Sequence, residues 1–119
     1  MMSRMSSAEF QSLSIGVEQG PSGPVLSVRG EIDTVTAPQL QVSVEQAMPS
    51  AGRVLVVDLS GVTFLSSAGL SVLVRAHQQA DELGCAVRIV TNANTARVFQ
   101  LTGLTETLRL YGSIDEARG

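Results

Sequence analysis

The 119-residue chain has no tryptophan, only three phenylalanines and one tyrosine. With so few aromatic rings it has no platform on which successive bases could stack, which argues against a single-strand nucleic-acid binder. Positive charge is also scarce. Eight Lys+Arg against eleven Asp+Glu leave a net charge of −3, and the basic residues form no cluster. A protein that tracks phosphates needs a basic patch, so nucleic acid is excluded as a partner. Cys85 is the only cysteine. It cannot close an internal disulfide, which fits a reducing compartment, and it reads as a small buried hydrophobe in a strand rather than a redox sensor. No apolar run approaches the roughly 20 residues of a membrane span. The opening "MMSRMSSAEF" has no apolar stretch of the signal-peptide kind. Direct membrane insertion is not expected, and the cytoplasm is the simplest location. Residues 1–10 read as a flexible tail and 11–119 as one domain, which at this length can bury roughly two thirds of its unfolded surface.

Catalytic patterns are missing as well. His77 is the sole histidine. It lies among apolar and small residues at helical spacing and reads as structural. No second ligand stands at metal-site spacing from it, so no metal is expected. The G-x-S-x-G elbow of a serine hydrolase is absent, and nothing in the sequence brings His77 to a serine. There is no phosphate-loop lysine and no G-x-G-x-x-G, so no nucleotide cofactor is expected. Asp81–Glu82 and Asp115–Glu116 read as solvated helix faces. No catalytic residue is assigned, and the chain reads as a non-enzyme.

What is present is a regular alternation. "FQSLSIGVEQ" and "PVLSVRGEI", separated by the turn "GPSG", read as an antiparallel hairpin. After them Leu40, Val44 and Ala47 share a helical face, with Thr36 as cap and Pro38 in the first turn. "RVLVVDL" is a β-branched run of the kind buried in parallel sheets. "LSG" is expected to turn the chain after it. Leu70, Leu73, Val74, His77 and Ala80 mark the next helix, closed by Gly84. "CAVRIVT" is a strand. "NANTARVFQLTG" reads as a capped helix with Val98 and Leu101 inward, "TLRLYG" as a last strand and "SIDEARG" as a short terminal helix. The order is β-β-α-β-α-β-α-β-α, an α/β domain with a mixed, mainly parallel sheet of about five strands and about four helices.

The stretch "VTFLSSAGLSVLV" (62–74) carries the strongest signal. One of the two serines, Ser66 or Ser67, should cap the helix, worth about 1 kcal/mol. The same helix start is an electropositive end with free N–H groups. A phosphoserine there would add a charge of about −1.5 to −2 without melting the helix. The surface around the turn would change sign while the fold survived.

"VLVVDLSGVTFLSSAGLSVLVRAHQQA" resembles the signature of STAS domains, specifically the bacterial anti-sigma factor antagonists. "VLSVRGEIDTVTAPQL" and "VRIVTNANTARVFQLTGLTETLRLYGSIDEA" resemble two further family segments in the right order, so the likeness spans residues 12 to 117. It implies a STAS-like single domain that works by partner switching. Such a protein binds an anti-sigma factor, a kinase-like ATPase that phosphorylates serine, and thereby frees a sigma factor for transcription. Phosphorylation releases the antagonist and a phosphatase restores it. The alternative within the same fold is a STAS accessory subunit of a transporter or lipid-trafficking ABC complex. With Gly69-Leu70 aligned on the family's Gly-Leu, Ser66 falls on its aspartate, Ser67 on its first serine, and Ala68 on the usual phosphoacceptor. An alanine cannot carry phosphate. Ser67, ahead of Ser66, is then the candidate acceptor, turned by about 100° from the family position if both are helical. The expected partner surface comprises Asp33, Thr34 and Thr36 with Ser66, Ser67, Ala68, Gly69 and Ser71.

Overall fold

The structure, a computed structural model, describes residues 13–118. The expected tail over residues 1–10 lies outside the described residues. The elements run β1 (Leu13–Gly20), β2 (Gly23–Ile32), α1 (Ala37–Ala47), β3 (Val54–Leu65), α2 (Ser67–Leu83), β4 (Ala86–Val90), α3 (Ala93–Leu101), β5 (Leu110–Tyr111) and α4 (Ile114–Arg118). This is the order read from the sequence. The five strands lie in spatial order β1 to β5. β1 pairs antiparallel with β2, and every later neighbour pair is parallel.

Alternation along the strands divides the side chains between two layers. Leu26 and Val28 of β2, Leu55, Val57 and Leu59 of β3, and Val87 and Ile89 of β4 face α1, α2 and α3 in the main core. Leu40 and Val44 of α1, Leu73 and Ala76 of α2, and Phe99 of α3 meet them there. Each fully buried Leu, Ile or Phe in this layer stabilises the fold by roughly 1.5–3 kcal/mol of removed apolar surface. The opposite face holds a smaller cluster, Val25, Val56 and Val90 beneath Ala117 of α4. Arg88 ties α4 down from this face. Its Nη1 donates to the Ala117 carbonyl at 2.8 Å, and its guanidinium lies 5.8 Å from the Tyr111 ring centroid.

Three local expectations are corrected. The first concerns β3, which does not turn at Ser60–Gly61 but continues to Leu65. Two register shifts against β2, between Ser27 and Arg29 and between Gly30 and Glu31, absorb the irregular segment. Its freed carbonyls have a partner: Asn92 Nδ2 donates to Val62 O at 2.8 Å, Ser60 O at 3.1 Å and Leu59 O at 3.4 Å. Asp58 Oδ1 accepts from the Ser60 N–H at 3.0 Å. The second concerns α3. Thr95 and Phe99 are its buried residues, while Leu101 is 77 % exposed. The capping box between Asn92 and Thr95 fixes the helix phase, and one turn later that phase buries the large Phe99. The third concerns Cys85, which is buried as expected but stands one residue before β4.

Candidate docking turn at the carboxyl end of the sheet

β2 and β3 run parallel and end together, with Ile32 opposite Leu65. The loops that leave them, 33–36 and the start of α2, therefore emerge side by side. The Ser66 N–H donates to Ile32 O at 2.8 Å and joins them. This pairing brings together the two segments that the sequence singled out separately.

The 33–36 loop is rigid for a polar reason. Asp33 Oδ1 accepts from the N–H groups of Val35 and Thr36, both at 2.9 Å. The Asp33 N–H donates to Thr36 Oγ1 at 2.9 Å, and that hydroxyl donates to Glu31 O at 2.8 Å. These bonds, the Thr36 backbone N–H foremost, hold the Asp33 carboxyl below its ordinary pKa. Thr36 stands at the N-cap of α1 but makes no side-chain cap bond to that helix. Its hydroxyl is spent on the loop, accepting from the Asp33 N–H and donating to the Glu31 carbonyl. It is also buried. Asp33 is half-buried and Thr34 exposed.

α2 begins as a well-capped helix. Ser66 takes extended backbone angles, and its Oγ accepts from the Gly69 N–H at 3.3 Å. Ser66 is therefore the capping serine. Ser67 is the first helical residue, exposed, with no side-chain hydrogen bond among the described residues. Ala68 is half-buried and packs against the main core. Gly69 is buried: a Cβ there would lie 2.5 Å from Ile32 Cγ2 and 2.8 Å from Leu65 Cδ1. Its missing side chain is what lets the helix start press onto the ends of β2 and β3. Ser71 is exposed one turn later. Of the expected contact residues, Thr34, Ser67 and Ser71 are fully presented, Asp33, Ser66 and Ala68 partly, and Thr36 and Gly69 face inward.

Two further residues belong to this end of the molecule and were not singled out from the sequence. Val35, at the loop tip, is 85 % exposed, and Phe64, the penultimate residue of β3, is 53 % exposed. The alternation of β3 shifts at its irregular segment, and only the fold shows that Phe64 turns outward. A hollow of about 410 Å³ runs along α2 from Ser67, lined by Leu70, Ser71, Val74, Arg75, Gln78 and Leu104. Large exposed apolar side chains such as Val35 and Phe64 are of the kind that protein docking buries.

His77 stands apart from the turn. It is ten residues beyond Ser67, roughly 15 Å along the helix axis. Its Nε2 lies 3.6 Å from Asp81 Oδ2 on the same helix. The structure does not bring a histidine to either serine. Among the described residues no group of three or more His, Cys, Asp and Glu is placed to hold a metal ion, and no helix is long and apolar enough to cross a membrane.

Residues 14–117 match the STAS domain family. An anti-sigma-F factor antagonist, RsfB, of Mycobacterium tuberculosis is 32 % identical over 109 residues, covering 89 % of this chain and 87 % of that protein. An anti-sigma-B factor antagonist of Listeria monocytogenes is 33 % identical over 96 residues, covering 77 % of this chain and 82 % of that protein. The crystal structure of an anti-sigma factor antagonist from Mycobacterium paratuberculosis superposes with a TM-score of 0.76 at 39 % identity, covering 89 % of this chain and 91 % of that one.

Proposed function

The chain belongs to the STAS domain family, and on that premise we propose that it is an anti-sigma factor antagonist working through the paired 33–36 and 66–71 segments. The observation that carries this reading is the similarity along most of both chains to proteins named as such antagonists. The exposed apolar side chains beside the paired segments support it. Docking on Val35, Phe64 and the start of α2 would bury exposed apolar area without disturbing the core. Occupation of the anti-sigma factor by this chain would leave its sigma factor free for transcription. The partner expected from the family resemblance is a kinase-like ATPase that phosphorylates serine, with a phosphatase acting in reverse.

Within this reading Ser67 is the phosphoacceptor. Ser66 is committed to the cap, position 68 has no hydroxyl, and Ser67 is exposed, with no side-chain hydrogen bond among the described residues. A phosphate of about −1.5 to −2 charge at the first turn of α2 is favoured by the helix dipole, so the fold would persist. The apolar docking surface beside it would gain a strongly hydrated dianion, and the partner would be released. The test has two parts. Added to a purified anti-sigma–sigma complex, the protein should displace the sigma factor. Incubated with that anti-sigma factor and ATP, it should gain one phosphate by intact mass, and Ser67→Ala should gain none. A complex left intact by excess protein overturns the antagonist reading. A phosphate that persists in Ser67→Ala overturns only the acceptor assignment.

A further inference from the structure

The two edges of the sheet are built differently. β5, at one edge, is two residues long and is packed by α4. β1, at the other, runs eight residues in unbroken register against β2. Natural edge strands are usually shielded from other chains by lysine, proline, a bulge or extreme shortness. Among the described residues β1 carries little of this protection: it has no proline, no register shift and a single charge, Glu18, and the chain contains no lysine at all.

The hairpin geometry sets which backbone groups β1 offers. Gly20 pairs with Gly23 across a two-residue turn, so the even-numbered residues of β1 bond to β2. Leu13, Ile15, Val17 and Gln19 then turn their N–H and C=O groups outward. Gln39 Nε2 of α1 already donates to the outward Leu13 O at 3.4 Å. The side chains above this edge carry no charge. Val17 is 52 % exposed, and Val42 is 51 % exposed on the stripe of α1 that it shares with Gln39 and Gln46.

We propose that β1 is a homodimer edge, pairing antiparallel with β1 of a second copy about a two-fold axis at Gly16. In that register Ile15 faces Val17 of the partner, Leu13 faces Gln19, and Gly16 meets Gly16. An isologous contact must be complementary to itself. This one is, and the charges show it. Glu18 is the only charged residue of β1, and the axis places it opposite Ser14 of the second copy, well away from its own mate. Ser14 in turn pairs with Arg29 within its own chain. Glu18 of one copy and Arg29 of the other therefore flank one small serine on the same face, about 10 Å apart between Cα atoms. A Glu and an Arg side chain together span that distance. Among the described residues neither has an ion-pair partner within its own chain. The strand is about 26 Å long, and a sheet plus one helix layer is about 20 Å deep, giving roughly 500 Å² per copy. The total of roughly 1,000 Å² sits at the floor of specific interfaces and fits a weak, reversible dimer.

Sedimentation equilibrium of the full chain over roughly 5–500 µM tests this. A concentration-dependent monomer–dimer equilibrium is expected. Glu18→Arg and Arg29→Glu should each weaken it about tenfold, and the double reversal should recover it to within about threefold of wild type. Val17→Pro removes only an outward N–H and should abolish the dimer while circular dichroism stays native. A monomer throughout overturns the proposal. So does a dimer indifferent to both single reversals, or a double reversal that restores nothing.

Discussion

Gly69→Ala is the substitution whose outcome follows most directly from packing. The added methyl would lie 2.5 Å from Ile32 Cγ2, 2.8 Å from Leu65 Cδ1 and 3.3 Å from Ile32 Cβ. Leu65 can swing its terminal methyl aside. Ile32 cannot, because it is β-branched, in a strand and fully buried, so Cγ2 is fixed to the backbone through one stiff torsion. The helix start must then move off the sheet. Overpacking of this kind costs about 1–3 kcal/mol. The exchange also returns a little under 1 kcal/mol, since alanine favours a helix more than glycine does. With Ile32 unable to yield, the cost falls in the upper part of that range, about 2–3 kcal/mol, so the net effect is a loss of about 1–2 kcal/mol, or roughly 4–8 °C in Tm for a chain of this size. Thermal unfolding by circular dichroism reads it. An unchanged or raised Tm would refute the claim that Gly69 is present for close approach, and would make it a replaceable helix residue.

Three further outcomes follow. Asn92→Asp keeps a good capping acceptor for Thr95 but replaces the Nδ2 donor with a carboxylate facing the Leu59, Ser60 and Val62 carbonyls. Urea unfolding should show a loss of about 1–3 kcal/mol, where a purely capping role would give almost none. The Asp33 carboxyl is held below its ordinary pKa by the Thr36 and Val35 N–H groups, so its stabilisation is complete above the unfolded value of 3.8. It is lost as pH falls through the lower folded value. Acid unfolding of Asp33→Asn should lack this part of the pH dependence, and an unaltered acid limb would count against the loop bonds. Burial raises the pKa of the Cys85 thiol. Its labelling by a soluble disulfide reagent at neutral pH should be at least about tenfold slower than in urea.

Most of the fold was legible because the residues that define it repeat at short range. The alternation in β1, the β-branched run of β3 and the period of the α2 face each depend only on neighbours in sequence. The failures share a different cause. The continuation of β3 through Ser60–Gly61 depends on Asn92, some 30 residues away, which satisfies the bulged carbonyls. The inward turn of Phe99 in place of Leu101 depends on how one capping box phases a nine-residue helix. Thr36 has the right identity and position for a cap, but Asp33 competes for its hydroxyl. At the candidate docking turn the polar residues were legible, since serine at a helix start has a local signature. Val35 and Phe64 were not, because an exposed apolar side chain looks in sequence like any core residue.

The most direct measurement is isothermal titration of a purified anti-sigma factor with the wild-type protein and with Val35→Asp, Phe64→Asp and Glu82→Gln. A saturable complex is expected for wild type. Each aspartate substitution should weaken it at least about tenfold, about 1.4 kcal/mol, because it places a hydrated charge in an apolar contact. Glu82→Gln, exposed at the far end of α2, should leave the affinity unchanged. No complex, or a complex that both aspartate variants form as tightly as wild type, would contradict docking through the paired turns.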